Sequence, residues 1–259
     1  MSDVYSFREG RIPLLVSVPH DGWQIPADIL PDMTGTGRGI PDTDWHVSKL
    51  YEFASDLGAA MIVANYSRYV VDLNRPADDA ALYEGQIATG ICPSRTFAGH
   101  EIYFEGTAID IGARIERYWR PYHDKLDAAL AEIKEEFGYA LLWDAHSIPS
   151  RVPRLFDGEL PVLNLGTWNQ RSCDLSLENA VMAAAQASPY EAVLNARFKG
   201  GYITRHYGRP AAHVHAIQLE LAQRAYMNEK SLEYDQEKAF PLIQTLTNLL
   251  RAFQEAARR

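Results

Sequence analysis

The feature of this sequence that most constrains its fold is the alternation of short β-branched runs with longer segments of helical periodicity. Apolar runs typical of buried strands occupy residues 14–18, 60–64, 69–73, 139–143, 162–165 and 216–221. Apolar residues at helical spacing occupy residues 47–57, 115–137, 175–187 and 242–253. Such alternation is typical of an α/β protein. The sequence therefore predicts a mixed, largely parallel central sheet flanked by helices.

The length and composition of the chain fit one large domain. It has 259 residues, of which 47% are hydrophobic and 23% are charged, so it can bury a full core. Neither an internal repeat nor a linker interrupts the alternation, and residues 1–259 are therefore expected to form a single domain. Two stretches are irregular: residues 77–106 are predicted to be a long loop or lid, and residues 147–171 are predicted to be loop around the short apolar run at 162–165.

Nothing in the sequence resembles a membrane-spanning or targeting segment. No stretch approaches the roughly 18 to 20 uninterrupted apolar residues that cross a bilayer. The N-terminal segment carries Asp3, Arg8 and Glu9 where a signal peptide would be apolar. We therefore expect a cytoplasmic protein with no membrane partner.

Charge and cysteine content exclude two further classes of protein. The 25 basic and 34 acidic residues leave a net charge of −9, and no basic run offsets it, so nucleic acid is not an expected partner. Cys92 and Cys173 are too few for a disulfide framework or an all-cysteine zinc site. Any anionic ligand must then be bound by individually placed arginines.

Polar side chains gather where the predicted strands end, which is where open α/β sheets bind their ligands. A histidine follows the first strand, an Asn-Arg pair follows the third, an Asp-x-His motif follows the fourth, and a glutamate closes the last. In order, these residues are His20, Asn74, Arg75, Asp144, His146 and Glu220. The spacing of two within the Asp-x-His motif places both of its polar side chains on one face of the strand.

Each of these residues has an ordinary structural interpretation when it is taken alone. A lone histidine at a strand end is more often a hydrogen-bonded structural residue than a ligand. Arg75 by itself is typical of a surface charge or of an ion pair with Asp72, and Glu220 is typical of a solvated strand end. Their convergence at one edge of one sheet instead indicates a metal-assisted hydrolase, which needs such a combination.

A catalytic zinc site needs three protein ligands from imidazole or carboxylate groups and an open position for water. His20 and His146 supply two ligands. The close H-x-x-E spacing is absent because Trp23 stands three residues after His20, so the third ligand must lie elsewhere. The head of the first predicted helix offers three candidates, Asp42, Asp44 and His46. We select Asp44, although aspartates there would also favour a helix N-terminus electrostatically.

Six segments follow one another over nearly the whole chain: VSVPHDGWQIP, DTDWHVSKLYE, VVDLNRP, DAHSIPS, GGYITRHYG and HAIQLELAQRAYM. Together they resemble the N-formylglutamate amidohydrolase family, whose fold is similar to that of the zinc carboxypeptidases and aspartoacylases. The resemblance implies hydrolysis of N-formyl-L-glutamate to formate and L-glutamate, at the end of one route of histidine degradation. It also implies one divalent metal ion, with zinc as the expected metal, and a small-molecule substrate.

The resemblance implies a role for each strand-end residue. His20 matches the first metal histidine and His146 matches the second. Asn74 and Arg75 match the pair that holds a substrate carboxylate, and Glu220 matches the glutamate beside the metal water. The middle ligand departs from the pattern of the carboxypeptidases and aspartoacylases, in which it follows the first histidine by three residues, so here it has to be proposed from elsewhere in the chain.

The roles of the remaining polar residues stay open at this point. Glu220 would take a proton from water and return it to the departing amine. N-formylglutamate has two carboxylates, so a second cation besides Arg75 is needed, and we expect Arg205 there with Arg151 as its competitor. Arg205 and His206 would stabilise the oxyanion or the substrate, or would form a structural pair in a turn.

Two other functions are compatible with the sequence. One is a deacylase that acts on another N-acyl amino acid, because the acyl pocket is formed by loops whose shape the sequence does not reveal. The other is a non-catalytic binding protein for an anionic amino-acid derivative. Glu220 argues against the second, since binding needs an arginine whereas only hydrolysis needs a positioned base.

Overall fold

A seven-stranded sheet runs through the centre of the protein in the computed structural model, which describes residues 3–80 and 89–258. Its strands are β1 (Tyr5–Arg8), β2 (Leu14–Val18), β3 (Ala60–Ala64), β4 (Ala140–Ile148), β5 (Leu163–Gly166), β6 (Ala192–Leu194) and β7 (Val214–Ala222). They lie in the order β1-β3-β2-β4-β7-β5-β6. The central strands β3, β2, β4 and β7 are parallel, whereas β1 and β5 are antiparallel to their inner neighbours. The predicted mixed, largely parallel sheet is confirmed.

Helices cover this sheet. They are α1 (Gly35–Arg38), α2 (Val47–Leu50), α3 (Phe53–Leu57), α4 (Ile111–Arg114), α5 (Arg120–Phe137), α6 (Leu175–Gln186), α7 (Tyr202–Tyr207) and α8 (Gln236–Ala257). A π-helical turn, Ile115–Trp119, joins α4 to α5. Across the described residues, none of these helices combines the length and the apolar character that a membrane crossing requires.

Apolar residues cover both faces of the sheet. Val16 of β2 belongs to the cluster that contains Leu246 and Phe253 of α8, whereas its neighbour Leu15 belongs to the cluster that contains Tyr122 of α5. Every residue of β2 is buried. The continuous apolar run therefore marks a strand that is covered on both sides, as expected in a parallel sheet.

The strand order brings the carboxyl ends of β2 and β4 side by side. From β2 the chain continues to β3 on one side, whereas β4 pairs with β2 on the other side. Open α/β sheets bind ligands at such a topological switch point. Side chains alternate along each strand, so Asp144, His146, Gln218 and Glu220 share the face that α5 covers.

The strand predicted at residues 69–73 is wrong. This segment begins in a buried turn and takes no place in the sheet of the described chain. Arg114 donates a hydrogen bond to Val70 O, and Asp72 N donates to Ile91 O. The apolar pattern reflects burial against α5, while the backbone hydrogen bonds go to side chains and loops instead of a neighbouring strand.

Other predicted elements differ in extent. The helix predicted over residues 47–57 is divided into α2 and α3, although it ends at Gly58 as expected, with φ of 89°. The predicted strands at 139–143 and 216–221 extend into β4 and β7. β1, β6 and α7 have four, three and six residues, too few to show a periodicity. Residues 81–88 of the first predicted loop lie outside the described residues.

Candidate active site

His20, Asp44 and His146 meet at the carboxyl ends of β2 and β4, and we refer to them as the His–Asp–His group. The backbone amide of Asp44 donates to His20 O (3.0 Å) and that of Ser147 donates to the side-chain atom Asp44 Oδ2 (3.1 Å), which holds the loop before α2 against both strands. All three residues are buried, and one ligand atom from each lies within 4.8 Å of the others. The group could hold a metal ion.

Each histidine ring has a second carboxylate beside the nitrogen that faces away from Asp44. His20 Nε2 bonds Asp72 Oδ1 at 2.8 Å, and His146 Nε2 lies 3.1 Å from Asp144 Oδ1. The Nδ1 atoms face Asp44 Oδ2, at 3.7 Å from His20 and 3.1 Å from His146. A carboxylate that accepts a ring N–H, as Asp72 can from His20, fixes the tautomer and makes the other nitrogen a better ligand. Nδ1 of each ring is therefore the atom that faces Asp44 and could bind a metal ion.

Two atoms of the His–Asp–His group are buried without a hydrogen-bond partner among the described residues. They are His20 Nδ1 and Asp44 Oδ1. Burying a polar atom unpaired costs free energy, so such atoms in a native fold indicate that something else binds them. Two imidazole nitrogens and a carboxylate oxygen are a donor set of catalytic zinc sites. The residues therefore fit a divalent metal ion.

The two alternative ligands from the same segment are engaged elsewhere. Asp42 Oδ2 accepts hydrogen bonds from the hydroxyl of Tyr69 (2.6 Å) and from Phe97 N (2.8 Å). His46 Nε2 donates to Leu232 O at 2.8 Å. The candidate that meets the two histidines is the one selected from the sequence.

Arg68, which the sequence analysis missed, balances the negative charge of this region from a buried position. Its Nη2 donates to Asp72 Oδ2 at 2.6 Å, and its Nη1 stands 3.6 Å from Asp44 Oδ1. Burial by itself would raise the pKa of Asp72, but Arg68 and His20 hold it well below its usual range. Burial also opposes ionisation of Asp44, yet the adjacent His146 and His20 side chains lower its pKa. Both carboxylates are therefore ionised and able to attract a cation.

Thr204 is a second residue that the sequence did not single out. Its Oγ1 donates to Asp144 Oδ2 at 3.0 Å, so it holds the carboxylate that faces His146. An arginine at the head of an apolar run is the sequence signal that could have identified Arg68. No comparable signal links Thr204 to Asp144, because the two residues are 60 positions apart.

Glu220 of β7 stands beside the His–Asp–His group. It is paired in register with His146 of β4, and 7% of its surface is exposed. Burial raises the pKa of Glu220 to about 8, while His146 acts in the opposite direction and Asp44 adds to the rise. A carboxyl group with a pKa near neutral pH can both accept and donate a proton there.

Asn74 connects the His–Asp–His group to α7. Its Nδ2 lies 3.0 Å from His146 Nε2, and its Oδ1 accepts a hydrogen bond from Ile203 N at 2.8 Å. The loop before α7 approaches so closely that a Cβ on Gly201 would lie 2.3 Å from Asn74 Nδ2. Glycine is therefore required at that position, and Asn74 is held at the start of α7.

Arg75 is half-buried and makes three hydrogen bonds with the described residues. Its Nε and Nη2 donate to the carbonyl (2.9 Å) and hydroxyl (3.1 Å) oxygens of Thr89, and its Nη1 donates to Asn74 O at 2.9 Å. A guanidinium has further N–H groups in the same plane. These bonds fix the plane of the guanidinium, and a planar guanidinium can bind a carboxylate through two parallel hydrogen bonds.

Arg205 lies on α7, close to the loop that packs against Asn74. Its Nε donates to Gly200 O at 2.8 Å. Its guanidinium lies over the ring of Trp168, 5.7 Å from the ring centre. Trp168 itself has a positive φ of 50°, and its amide donates to Lys199 O at 2.6 Å. Arg205 is therefore supported by both the loop and the aromatic ring.

His206 and Arg151 lie apart from the His–Asp–His group, and their proposed roles toward the substrate stay predictions. His206 is exposed and stacks on Tyr202, with 4.9 Å between the ring centres. The side chain of Arg151 is 64% exposed and pairs with Glu159 at 2.6 Å. Within the described residues neither side chain contacts the His–Asp–His group, because His206 faces outward from α7 and Arg151 lies on a surface loop.

The sequence of this chain is similar to that of a protein family and to those of two bacterial proteins. The pattern of the N-formylglutamate amidohydrolase family matches residues 12–227. The chain is 50% identical over 257 residues to the N-formylglutamate deformylase of Pseudomonas putida, covering 97% of this chain and 96% of that protein. It is 52% identical over 238 residues to the N-formylglutamate deformylase of Pseudomonas aeruginosa, covering 89% and 88%.

Solved structures share the fold. The crystal structure of N-formylglutamate amidohydrolase from Ralstonia eutropha JMP134 matches 98% of both chains with a TM-score of 0.83 and 26% identity. A gene product of Agrobacterium tumefaciens matches 96% of both chains with a TM-score of 0.71, and at 16% identity it supports the fold alone. The similarity in sequence and the similarity in fold both extend over nearly the whole chain. This protein belongs to the N-formylglutamate amidohydrolase family.

Proposed function

We propose that this protein hydrolyses N-formyl-L-glutamate to formate and L-glutamate, the last step of a route of histidine degradation. The observation that carries the proposal is the position of Glu220, in register with His146 and beside a buried group that fits a divalent metal ion. Hydrolysis needs a base at that position, whereas binding alone does not. The two Pseudomonas relatives, both named N-formylglutamate deformylase, support the choice of substrate.

The two carboxylates of this substrate require two cations, because leaving an ionised carboxylate unpaired in a dry site is costly. Arg75 would bind one of them through the N–H groups that the described residues leave unused, with Asn74 beside it. Arg205 would bind the other, since it lies on α7 near Asn74 and is supported by Trp168. The exposed Arg151 is the weaker competitor because it already pairs with a glutamate.

The proposed chemistry divides between a zinc ion and the side chains of this chain. When bound, zinc supplies a water of lowered pKa and a charge that polarises the formyl carbonyl. Glu220 takes the proton from the attacking water and gives it to the departing amine nitrogen. Its raised pKa suits both transfers near neutral pH. Asp72 and Asp144 keep the two histidine rings oriented throughout.

A substrate panel tests this function. Formate or acetate release would be measured with N-formyl and N-acetyl derivatives of glutamate, glutamine and aspartate, on protein stripped of metal and on protein reloaded with zinc. We expect N-formylglutamate to be the preferred substrate, only in the reloaded protein, and the larger acetyl group to lower kcat/KM by roughly tenfold or more.

Three results would overturn the proposal in different ways. A preference for another N-acyl amino acid would make the protein a different deacylase. Binding of N-formylglutamate without turnover in any metal-loaded form would make it a binding protein. Full activity after metal removal would show that a metal ion at the His–Asp–His group is not needed for the reaction.

A further inference from the structure

Two aromatic side chains form hydrogen bonds with the backbone on either side of Asn74. They are Trp119, at the end of the π-helical turn, and His123 of α5. Trp119 Nε1 donates a hydrogen bond to Arg75 O at 2.9 Å. His123 Nε2 donates to Leu73 O at 2.9 Å. The carbonyl groups directly before and directly after Asn74 are therefore both held by one helix.

The hydrogen bonds of the His123 ring show which of its nitrogen atoms carries the proton. Burial lowers the pKa of His123 to about 3, so the ring is neutral and carries one N–H. Because Nε2 donates to Leu73 O, Nδ1 is the acceptor, and the hydroxyl of Tyr207 lies 2.8 Å from it. Tyr207 is the last residue of α7, so His123 links that helix to the loop that carries Asn74.

The helix presents these two side chains through an irregularity. Trp119 is the last residue of the π-helical turn, and His123 lies one α-helical turn further on. Their rings stack with 3.8 Å between centres and 27° between planes. A π-turn contains one residue more than an α-helical turn and so redirects the side chains that follow it, and such turns frequently occur at functional sites.

We propose that Trp119 and His123 are positioning residues for the carboxylate site of Asn74 and Arg75. They act through the backbone: by fixing the carbonyls of Leu73 and Arg75, they hold the Asn74 side chain between His146 and α7 and hold the Arg75 guanidinium in its plane. This inference rests on the proposed function and assigns residues that bind no substrate themselves.

The test compares two tryptophans that make the same kind of bond. Trp119→Phe keeps an aromatic ring and loses the N–H, so the loop loses one anchor. We expect KM for N-formylglutamate to rise by about three- to tenfold, the loss typical of one hydrogen bond, with kcat within about twofold, because carboxylate binding is weakened equally in the ground state and the transition state. The matched control is Trp143→Phe, whose Nε1 donates to Tyr51 OH at 2.8 Å in the other buried layer. Its KM should stay at the wild-type value.

His123 supplies a second and independent measurement. His123→Gln keeps an N–H donor that can reach Leu73 O, whereas His123→Leu removes it, so glutamine should preserve most of the wild-type KM and leucine should not. Binding of L-glutamate to the metal-free proteins, measured by calorimetry, should weaken by the same factors as KM rises. This readout is independent of turnover.

Each outcome bears on a specific statement. An unchanged KM and an unchanged L-glutamate affinity in Trp119→Phe, or equal KM values for the glutamine and leucine variants, would overturn the inference. An equal rise of KM in Trp143→Phe would also overturn it, since the effect would then be general loosening. If wild-type protein releases no formate from N-formylglutamate, the proposed function fails instead, and the two failures are distinguished by that first measurement.

Discussion

His146 of β4 and Glu220 of β7 occupy paired positions on neighbouring parallel strands, and their side chains project from the same face of the sheet. Neighbouring strands are about 4.8 Å apart. The separation between the proposed ligand and the proposed base is therefore set by the hydrogen bonds of the sheet and not by a loop, which favours precise chemistry. Each residue can be replaced separately, and each replacement has its own expected signature.

Glu220→Gln should lower kcat by about 10²-fold or more without changing metal content. Glutamine keeps the shape and the hydrogen bonding of the side chain but cannot accept a proton from water. Formate release gives kcat, and elemental analysis of the same sample gives the metal content. The matched control is Glu178→Gln on α6, a glutamate of similar burial that bonds Thr167 Oγ1. That control should lower the melting temperature but keep kcat, and a fully active Glu220→Gln enzyme would remove Glu220 from the mechanism.

His146→Ala should abolish both metal binding and activity, because it removes one of three ligands at an open site. The control is His46→Ala, which removes a histidine that bonds Leu232 O outside the His–Asp–His group. Metal content per chain should fall to near zero in the first variant and stay near one in the second. If His146→Ala retains its metal, the ligand set is wrong, and if His46→Ala loses it, the third ligand has been misassigned.

Arg75 and Arg205 should make the protein select its substrate by charge. Wild-type protein should prefer N-formylglutamate over N-formylglutamine by a larger factor than a methylene change produces, which is roughly 10- to 200-fold, because the neutral amide leaves a guanidinium unpaired. Lysine cannot form the bidentate contact, so Arg75→Lys should have a lower kcat/KM for N-formylglutamate than wild type. Arg205→Ala should reduce the preference between the two substrates. Arg151→Ala, at an exposed arginine, serves as the control and should match wild type. Equal turnover of both substrates by wild type would contradict the two-arginine arrangement.

Thr204→Val should weaken zinc affinity by about 10- to 100-fold, the usual effect of removing a group that orients a metal ligand. Valine keeps the volume but no longer donates to Asp144 Oδ2, so the carboxylate that orients His146 is less restrained. Thr204→Ser keeps the hydroxyl and should bind zinc as wild type does. Competition with a chromogenic chelator measures the affinity without relying on catalysis. Wild-type affinity in Thr204→Val would show that Asp144 needs no support from α7.

The free energy of unfolding should decrease as the pH is lowered, partly because of His123. Its pKa is about 3 in the folded state, whereas an unfolded histidine has a pKa of about 6.5. The unfolded chain therefore binds more protons below pH 6.5, so the contribution is complete above that pH and is lost as the pH falls towards 3. Between pH 7 and pH 5 the free energy of unfolding of wild type should decrease by about 2 kcal/mol more than that of His123→Gln. Urea unfolding at both pH values measures the difference, and parallel pH dependence of the two proteins would contradict it.

Local signals explain what could be predicted. β2 is a continuous apolar run because both of its faces are buried, and the spacing of Asp144 and His146 places them on one face of β4. His20 and His146 stand near strand ends, and parallel strands bring their carboxyl ends to one edge. These features depend on short stretches of chain, so the sheet and the two histidines of the candidate site followed from the sequence alone.

Tertiary structure decided which residues support the site. The bonds from His20 to Asp72, from Thr204 to Asp144 and the contact of Asn74 with His146 join residues 52, 60 and 72 positions apart. No local pattern encodes such pairs, because they depend on how the whole chain packs. For the same reason the buried loop at residues 69–73 had the composition of a strand: its apolar pattern reports burial, whereas its hydrogen-bond partners come from distant segments.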